Sequence, residues 1–158
     1  VRIGNGFDVH AFGEGDHITL GNVKIPFNRG FKAHSDGDVL IHAICDALLG
    51  ATALGDIGQH FPPDDPQWAD CDSAVFLTHC LQLVTQAGWR IVNIDSVILA
   101  EKPKLKPYME AISGRLAELL RLDLSQIGVK ATTTEKLGFV GREEGIAVQA
   151  VCLLSALK

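Results

Sequence analysis

Trp89-Arg90-Ile91-Val92-Asn93-Ile94-Asp95-Ser96-Val97-Ile98-Leu99-Ala100 is the stretch on which the fold turns. It is rich in β-branched residues and free of proline, so it reads as one long strand. Alternation puts Ile91, Val97 and Leu99 on one face and Val92, Ile94, Ile98 and Ala100 on the other, leaving neither face polar. A strand of this kind belongs in a sheet covered on both sides. Ile146 to Leu157 has the same character, and Ile127 to Thr133 reads as a further strand.

Upstream, Arg2 to His10 predicts a first strand in which Gly4 and Gly6 mark a bulge or a close backbone approach, with Phe7 and Val9 directed to a core. Ile18 to Leu20 and Val23 to Ile25, joined by Gly21-Asn22, form a hairpin pattern. Helical periodicity runs from Asp38 to about Leu54, from a cap at Asp72 or Ser73 to Gly88, and from Pro107 through Leu120. Phe61-Pro62-Pro63-Asp64-Asp65-Pro66 between the first two reads as a loop. The sum is an α+β single-domain sandwich over residues 1–158, one mixed β-sheet backed by three α-helices. Three helices cover one face of such a sheet. The apolar second face of the strands then calls for a partner, and symmetric self-association is the usual one.

Composition narrows the function. Fourteen basic and 19 acidic residues give a net charge of −5, which excludes the basic surface that nucleic acid requires and repels anions at long range unless local cations offset the field. Cys45, Cys71, Cys80 and Cys152 lack metal or redox spacing, and three lie in apolar runs, as expected in a reducing compartment. No apolar run is long enough for a bilayer, so no membrane is expected. With strand-like sequence from Val1 onward and no secretory leader pattern, the expected location is a bacterial cytoplasm, or a plastid-type organelle if a transit peptide has been removed.

The polar residues concentrate in Ala33-His34-Ser35-Asp36-Gly37-Asp38, which runs directly into the apolar helix carrying His42. A helix start needs one cap, and this loop offers several. Asp8 and His10, two apart on a strand, share a face, and with His42 they make a carboxylate and two imidazoles, a set suited to Zn²⁺ with a fourth position open. A core histidine with a satisfied ring would give His42 the same spacing. On the helix, Asp38, His42, Cys45, Asp46 and Leu49 fall on one face, the expected wall of a site, with Asp38 and Asp46 as caps, solvated charges or groups that orient His42.

Four separated motifs, Gly6 to His10, Ala33 to Val39 with His42, Leu54 to Gly58, and Lys130 to Phe139, resemble those of the 2-C-methyl-D-erythritol 2,4-cyclodiphosphate synthase family, in the family's order and nearly end to end. The resemblance implies intramolecular phosphoryl transfer on 4-diphosphocytidyl-2-C-methyl-D-erythritol 2-phosphate in the non-mevalonate route to isoprenoids, releasing CMP. It implies one Zn²⁺ per chain on Asp8, His10 and His42, and Mg²⁺ or Mn²⁺ at Glu135 with the substrate. His34 and Thr133 would stabilise the transition state. Substrate contacts would come from Asp8, Val9, His10, His34, Ser35, Asp56, Ile57 and Gly58, and from the Phe61, Pro62, Pro63, Asp64 and Asp65 loop.

A cytidine loop would comprise Ala100, Glu101, Lys102, Pro103, Lys104, Leu105 and Lys106, joined by Ala131, Thr132, Thr133, Thr134 and Glu135. Phe139 and Arg142 would sit near a shared site and a central cavity able to hold isoprenoid diphosphates. The family's assembly is a homotrimer with sites between subunits. Pro63-Asp64 stands where Asp-Thr is commoner in the family, removing one side-chain contact. Without the resemblance, Thr132-x-x-Glu135 reads first as a capping box and Arg142 equally as a structural ion pair, and the competing readings of the whole chain are a zinc phosphoesterase and, after it, a nucleotide-binding protein. The G-x-x-x-x-G-K phosphate loop of nucleotide triphosphatases is absent from the sequence.

Overall fold

In chain order the computed structural model, which describes residues 1–158, runs β1 (Arg2–Gly13), β2 (His17–Leu20), β3 (Val23–Pro26), β4 (Gly30–Phe31), α1 (Val39–Ala51), α2 (Ile57–His60), α3 (Ser73–Gln86), β5 (Trp89–Leu99), α4 (Met109–Leu120), β6 (Ile127–Thr132), α5 (Gly138–Gly141) and β7 (Gly145–Ala156). The main sheet has the order β4-β1-β7-β5-β6, and β2 and β3 form the separate hairpin. Only β5 and β6 pair in parallel, joined by the crossover through α4, so the sheet is mixed. There are five α-helices rather than three. The three long ones follow the periodicity; α2 and α5 are four-residue turns, too short to leave a helical period in the sequence.

Helix α1 starts where Asp38 accepts the Ile41 N–H at 3.0 Å. Ten of its 13 residues are buried, since α1 lies across β1 and β7 on one side and against α3 on the other. The strand below it is glycine at the crossing points. A Cβ at Gly4 would lie 1.9 Å from the Ala47 carbonyl oxygen, and one at Gly6 the same distance from that of Ala43. Helix and strand therefore meet backbone to backbone, the close approach that the glycines foretell.

Two expected orientations are corrected. Val92 is a bulge between Ile91–Leu154 and Asn93–Leu153, so Ile91 joins Ile94 and Ile98 on the helix-covered face instead of Val97 and Leu99. Phe7 and Val9 face no core of their own chain. They are 56% and 39% exposed on the uncovered side of the sheet, with Ile3 and Val151. Helices lie only on the other side, where Gly4, Gly6, Asp8 and His10 point.

Candidate metal centre

Because α1 sits directly on β1, the first turn of the helix delivers His42 to the face of the strand that carries Asp8 and His10. His10 Nε2 lies 3.1 Å from His42 Nδ1, and Asp8 Oδ2 lies 3.2 and 3.3 Å from those two nitrogens. Ligands of a tetrahedral zinc at ~2.0–2.1 Å are separated by roughly 3.3 Å, so the triangle has the edge lengths of one zinc face. Asp8 Oδ2 is buried and receives no hydrogen bond of good geometry. Burial acts to raise the Asp8 carboxyl, yet the His10 and His42 rings beside it hold it well below the usual carboxylate range. An ionised, orphaned oxygen between two imidazole nitrogens fits a divalent cation.

The far side of His42 is held by Ser73, read from the sequence only as a helix-cap candidate, and by Ser35, expected there only as a substrate contact. Its Nε2 lies 3.0 Å from Ser73 Oγ and 3.4 Å from Ser35 Oγ. The Ser73 hydroxyl and N–H both donate to Asp36. The proposed orienting groups are placed otherwise. Asp38 is fully buried and accepts N–H bonds from Gly21, Asn22 and Ile41, while Asp46 accepts from Ile57 N at 2.8 Å, so both carboxylates brace backbone rather than His42. Cys45 and Leu49 are core, which limits the helix's share of the site wall to His42 and its neighbourhood.

Beside the triad opens a cleft of about 240 Å³ lined by His10, His34, Ser35, His42, Ile57, Gly58, Phe61 and Pro63, together with Trp68 and Phe76. The two aromatics were not anticipated; Phe61 packs edge-on to Trp68 at 4.9 Å and against Phe76 at 4.3 Å, which anchors that loop in the core. Asp56 caps α2 through Gln59 N, Asp65 caps a single 3₁₀ turn over Pro66–Trp68, Pro62 accepts from Asp65 N, and Asp64 is exposed. Val9 points away from the cleft, to the open face.

The remaining expected residues gather elsewhere. Ala100, Glu101, Pro103, Lys104, Leu105, Lys106, Ala131, Thr132 and Thr133 surround a hollow of about 310 Å³, and Glu101, Lys102, Thr133 and Glu135 line another of about 450 Å³. No helix starts at Thr132, so the capping-box alternative fails; Thr133 Oγ1 accepts the Glu135 N–H at 3.2 Å instead. Glu135 and Lys136 both have left-handed backbones (φ 53° and 66°), and Glu101 secures them by accepting the Lys136 N–H at 2.8 Å. Thr134 donates to Leu137 O, Arg142 is paired with Glu144, and Phe139 is partly exposed on α5. Val9, Ala147, Leu99 and Thr132 lie in one row across the sheet. Three strand spacings make that row about 14 Å long. Within one chain, the Thr133–Glu135 loop and the metal triad thus stand at opposite edges of the same end of the sheet.

The sequence model of the YgbB family matches residues 1–155. The chain belongs to the YgbB family. Among YgbB-family relatives, the 2-C-methyl-D-erythritol 2,4-cyclodiphosphate synthase of Azotobacter vinelandii is 59% identical over 157 residues, covering 99% of this chain and 100% of the relative. That of Alcanivorax borkumensis is 60% identical over 156 residues, covering 99% and 98%. The fold superposes on the bifunctional IspDF of Campylobacter jejuni with a TM-score of 0.96 at 46% identity, covering 99% of this chain and 42% of that one. It superposes on the Plasmodium falciparum IspF CDP complex with a TM-score of 0.87 at 36% identity, covering 99% and 97%. This YgbB-family chain is thereby an enzyme of the cyclodiphosphate synthase kind, at the cyclodiphosphate-forming step of isoprenoid biosynthesis.

Proposed function

We propose that the chain, as one cyclodiphosphate synthase domain over 1–158, converts 4-diphosphocytidyl-2-C-methyl-D-erythritol 2-phosphate to the 2,4-cyclodiphosphate and CMP by metal-dependent intramolecular phosphoryl transfer. The observation that carries the reading is the convergence of Asp8 Oδ2, His10 Nε2 and His42 Nδ1 within 4.8 Å of one another beside the cleft. The 2-phosphate oxygen forms a bond to the outer phosphorus of the diphosphate, the bond from that phosphorus to the bridging oxygen breaks, and CMP leaves with the electron pair. A phosphate nucleophile needs no strong base, so the protein's task is to align and neutralise two anions.

Asp8, His10 and His42 would hold Zn²⁺, which supplies Lewis-acid charge neutralisation at the attacked phosphate. Glu135 would contact Mg²⁺ or Mn²⁺ shared with the diphosphate. His34 and Thr133 would donate hydrogen bonds to phosphate oxygens as charge shifts. Ser35 and the Asp56-Ile57-Gly58 turn would face the methylerythritol part, with Phe61 to Asp65 beside it. Ala100 to Lys106 and Ala131 to Glu135 would take the cytidine diphosphate, a ligand class supported by the CDP complex of the Plasmodium relative.

The working unit on this reading is a homotrimer. Support comes from the separation of the two residue groups within one chain and from the uncovered row of Ile3, Phe7, Val9 and Val151. Phe139 and Arg142 would then approach a central cavity able to hold an isoprenoid diphosphate. No helix is long and apolar enough to cross a membrane, and a bacterial cytoplasmic location is part of the proposal.

Incubation of the diphosphocytidyl substrate with the chain, Zn²⁺ and Mg²⁺ should give CMP and a cyclic diphosphate by phosphorus NMR. A substrate lacking the 2-phosphate should release CMP orders of magnitude more slowly, because a pre-positioned nucleophile is worth ~7–11 kcal/mol. Equal rates would replace this reading with metal-assisted hydrolysis. Mixed trimers of His42→Ala and Glu135→Ala chains, reassembled from unfolded protein, should recover activity that neither variant has alone; verified mixed trimers without activity would refute the shared site.

A further inference from the structure

We infer that Ser73, held by Asp36, is a positioning residue that fixes His42 in the ring tautomer whose Nδ1 is free to take a cation. The inference rests on the metal reading above and adds to it two residues outside the ligand set. It follows from counting protons. The Asp36 carboxylate, an acceptor only, receives the Ser73 N–H at 2.9 Å, the Asp38 N–H at 3.0 Å and the Ser73 hydroxyl. A serine hydroxyl has a single proton. Having given it to Asp36, Ser73 Oγ can meet His42 Nε2, 3.0 Å away, only as an acceptor. Nε2 therefore carries the ring proton, and Nδ1 turns a lone pair toward Asp8 and His10.

The surroundings reinforce that assignment. Ser73 is 0% exposed, so water does not compete for the contact. Ser35 Oγ accepts the Gly37 N–H at 3.3 Å and stands 3.4 Å from the same His42 nitrogen, offering a second, longer acceptor for the same proton. Ser73 opens α3, and Asp36 lies in the loop before α1. The contact thus ties the start of α3 to a ligand that α1 carries. A histidine ligand whose outer nitrogen is held in this way is better aimed and more basic toward a metal.

The test is zinc affinity of the full chain, measured by competition with a coloured chelator for the unaltered protein, Ser73→Ala and His42→Ala. Ser73→Ala should weaken zinc binding roughly 10–100-fold while the melting temperature of the metal-free protein changes little, because Asp36 keeps its two backbone donors. In nitrogen-15 spectra of the zinc-loaded unaltered chain the His42 Nε2 proton should exchange slowly, and in Ser73→Ala it should exchange as fast as in free imidazole. Zinc bound equally tightly by the unaltered chain and Ser73→Ala overturns the role of Ser73 alone. An unaltered chain that takes up no zinc overturns the metal reading, and this inference with it. Should Ser73→Ala not fold, the unaltered chain decides: a His42 Nε2 proton in fast exchange refutes the assignment.

Discussion

His10 Nε2 and His42 Nδ1 stand 3.1 Å apart, and Asp8 Oδ2 completes a triangle of nearly equal sides. Two imidazole lone pairs and a carboxylate are not held at that spacing in partly buried surroundings without a proton or a cation among them. His42→Ala should therefore lower the metal content from one zinc per chain to near zero, measured by atomic emission. Activity should fall by ~10³-fold or more, equivalent to about 4 kcal/mol of transition-state stabilisation. The circular dichroism should stay unchanged, since the triad lies outside the packed core. Full zinc occupancy in this variant would remove His42 from the ligand set.

Asp38 sets a pH dependence of stability. Its burial, helped by the nearby Asp36 charge, pushes the carboxyl up to about 6 in the folded chain against 3.8 for the free group, even though three N–H donors favour the ionised form. The folded state binds the proton more tightly than the unfolded one. The contribution is therefore fully present below about pH 4 and is lost as pH rises through 6, on the order of 3 kcal/mol at about 1.4 kcal/mol per pH unit. Asp38→Asn should flatten that part of the curve in urea melts with chelator present. It should also cost ~1–3 kcal/mol, because its amide would set a donor against a backbone N–H. An unaltered slope between pH 4 and 6 would show that Asp38 does not supply it.

Glu101 holds the loop that presents Thr133 and Glu135, through its bond to Lys136 N. Two successive left-handed, non-glycine residues persist only when their neighbours enforce them. Glu101→Ala should speed hydrogen exchange over residues 133–137 and lower kcat/KM about tenfold, leaving zinc content unchanged. Exchange as slow as in the unaltered chain would argue that the loop holds itself.

Phe7 tests the assembly. Phe7→Asp places a charge in the exposed apolar row and should convert the protein to a 17.0 kDa monomer by light scattering, folded and zinc-binding but inactive. A variant that keeps both its higher mass and its activity would locate the interface elsewhere.

The sequence was most legible where a period or a cap dictated structure. The three long helices, the Gly21-Asn22 hairpin and the paired side of Asp8 and His10 all follow from spacing, and of the bulge or close approach that Gly4 and Gly6 signal, the structure has the close approach, made by α1. Failures came where a single residue breaks a period or where a contact joins distant segments. The Val92 bulge moved Ile91 to the opposite face, which alternation alone cannot show. Phe7 and Val9 are apolar yet lie on the uncovered side of the sheet, so alternation alone does not say which face the core takes. Ser73 looked like one helix cap among two candidates, since nothing local to it signals that its hydroxyl meets His42, 31 positions away.

Gly4 and Gly6 have a consequence for how this protein can change. Interior side chains ordinarily set the gap between a helix and a sheet, so a methyl group gained or lost there shifts one against the other. Here the spacer between α1 and β1 is main chain against main chain, the same length whatever the surrounding Leu, Ile or Val residues become. The core can drift in composition while the separation of His42 from Asp8 and His10 stays constant, and the geometry of this triad is insulated from the substitutions that a lineage accumulates most freely.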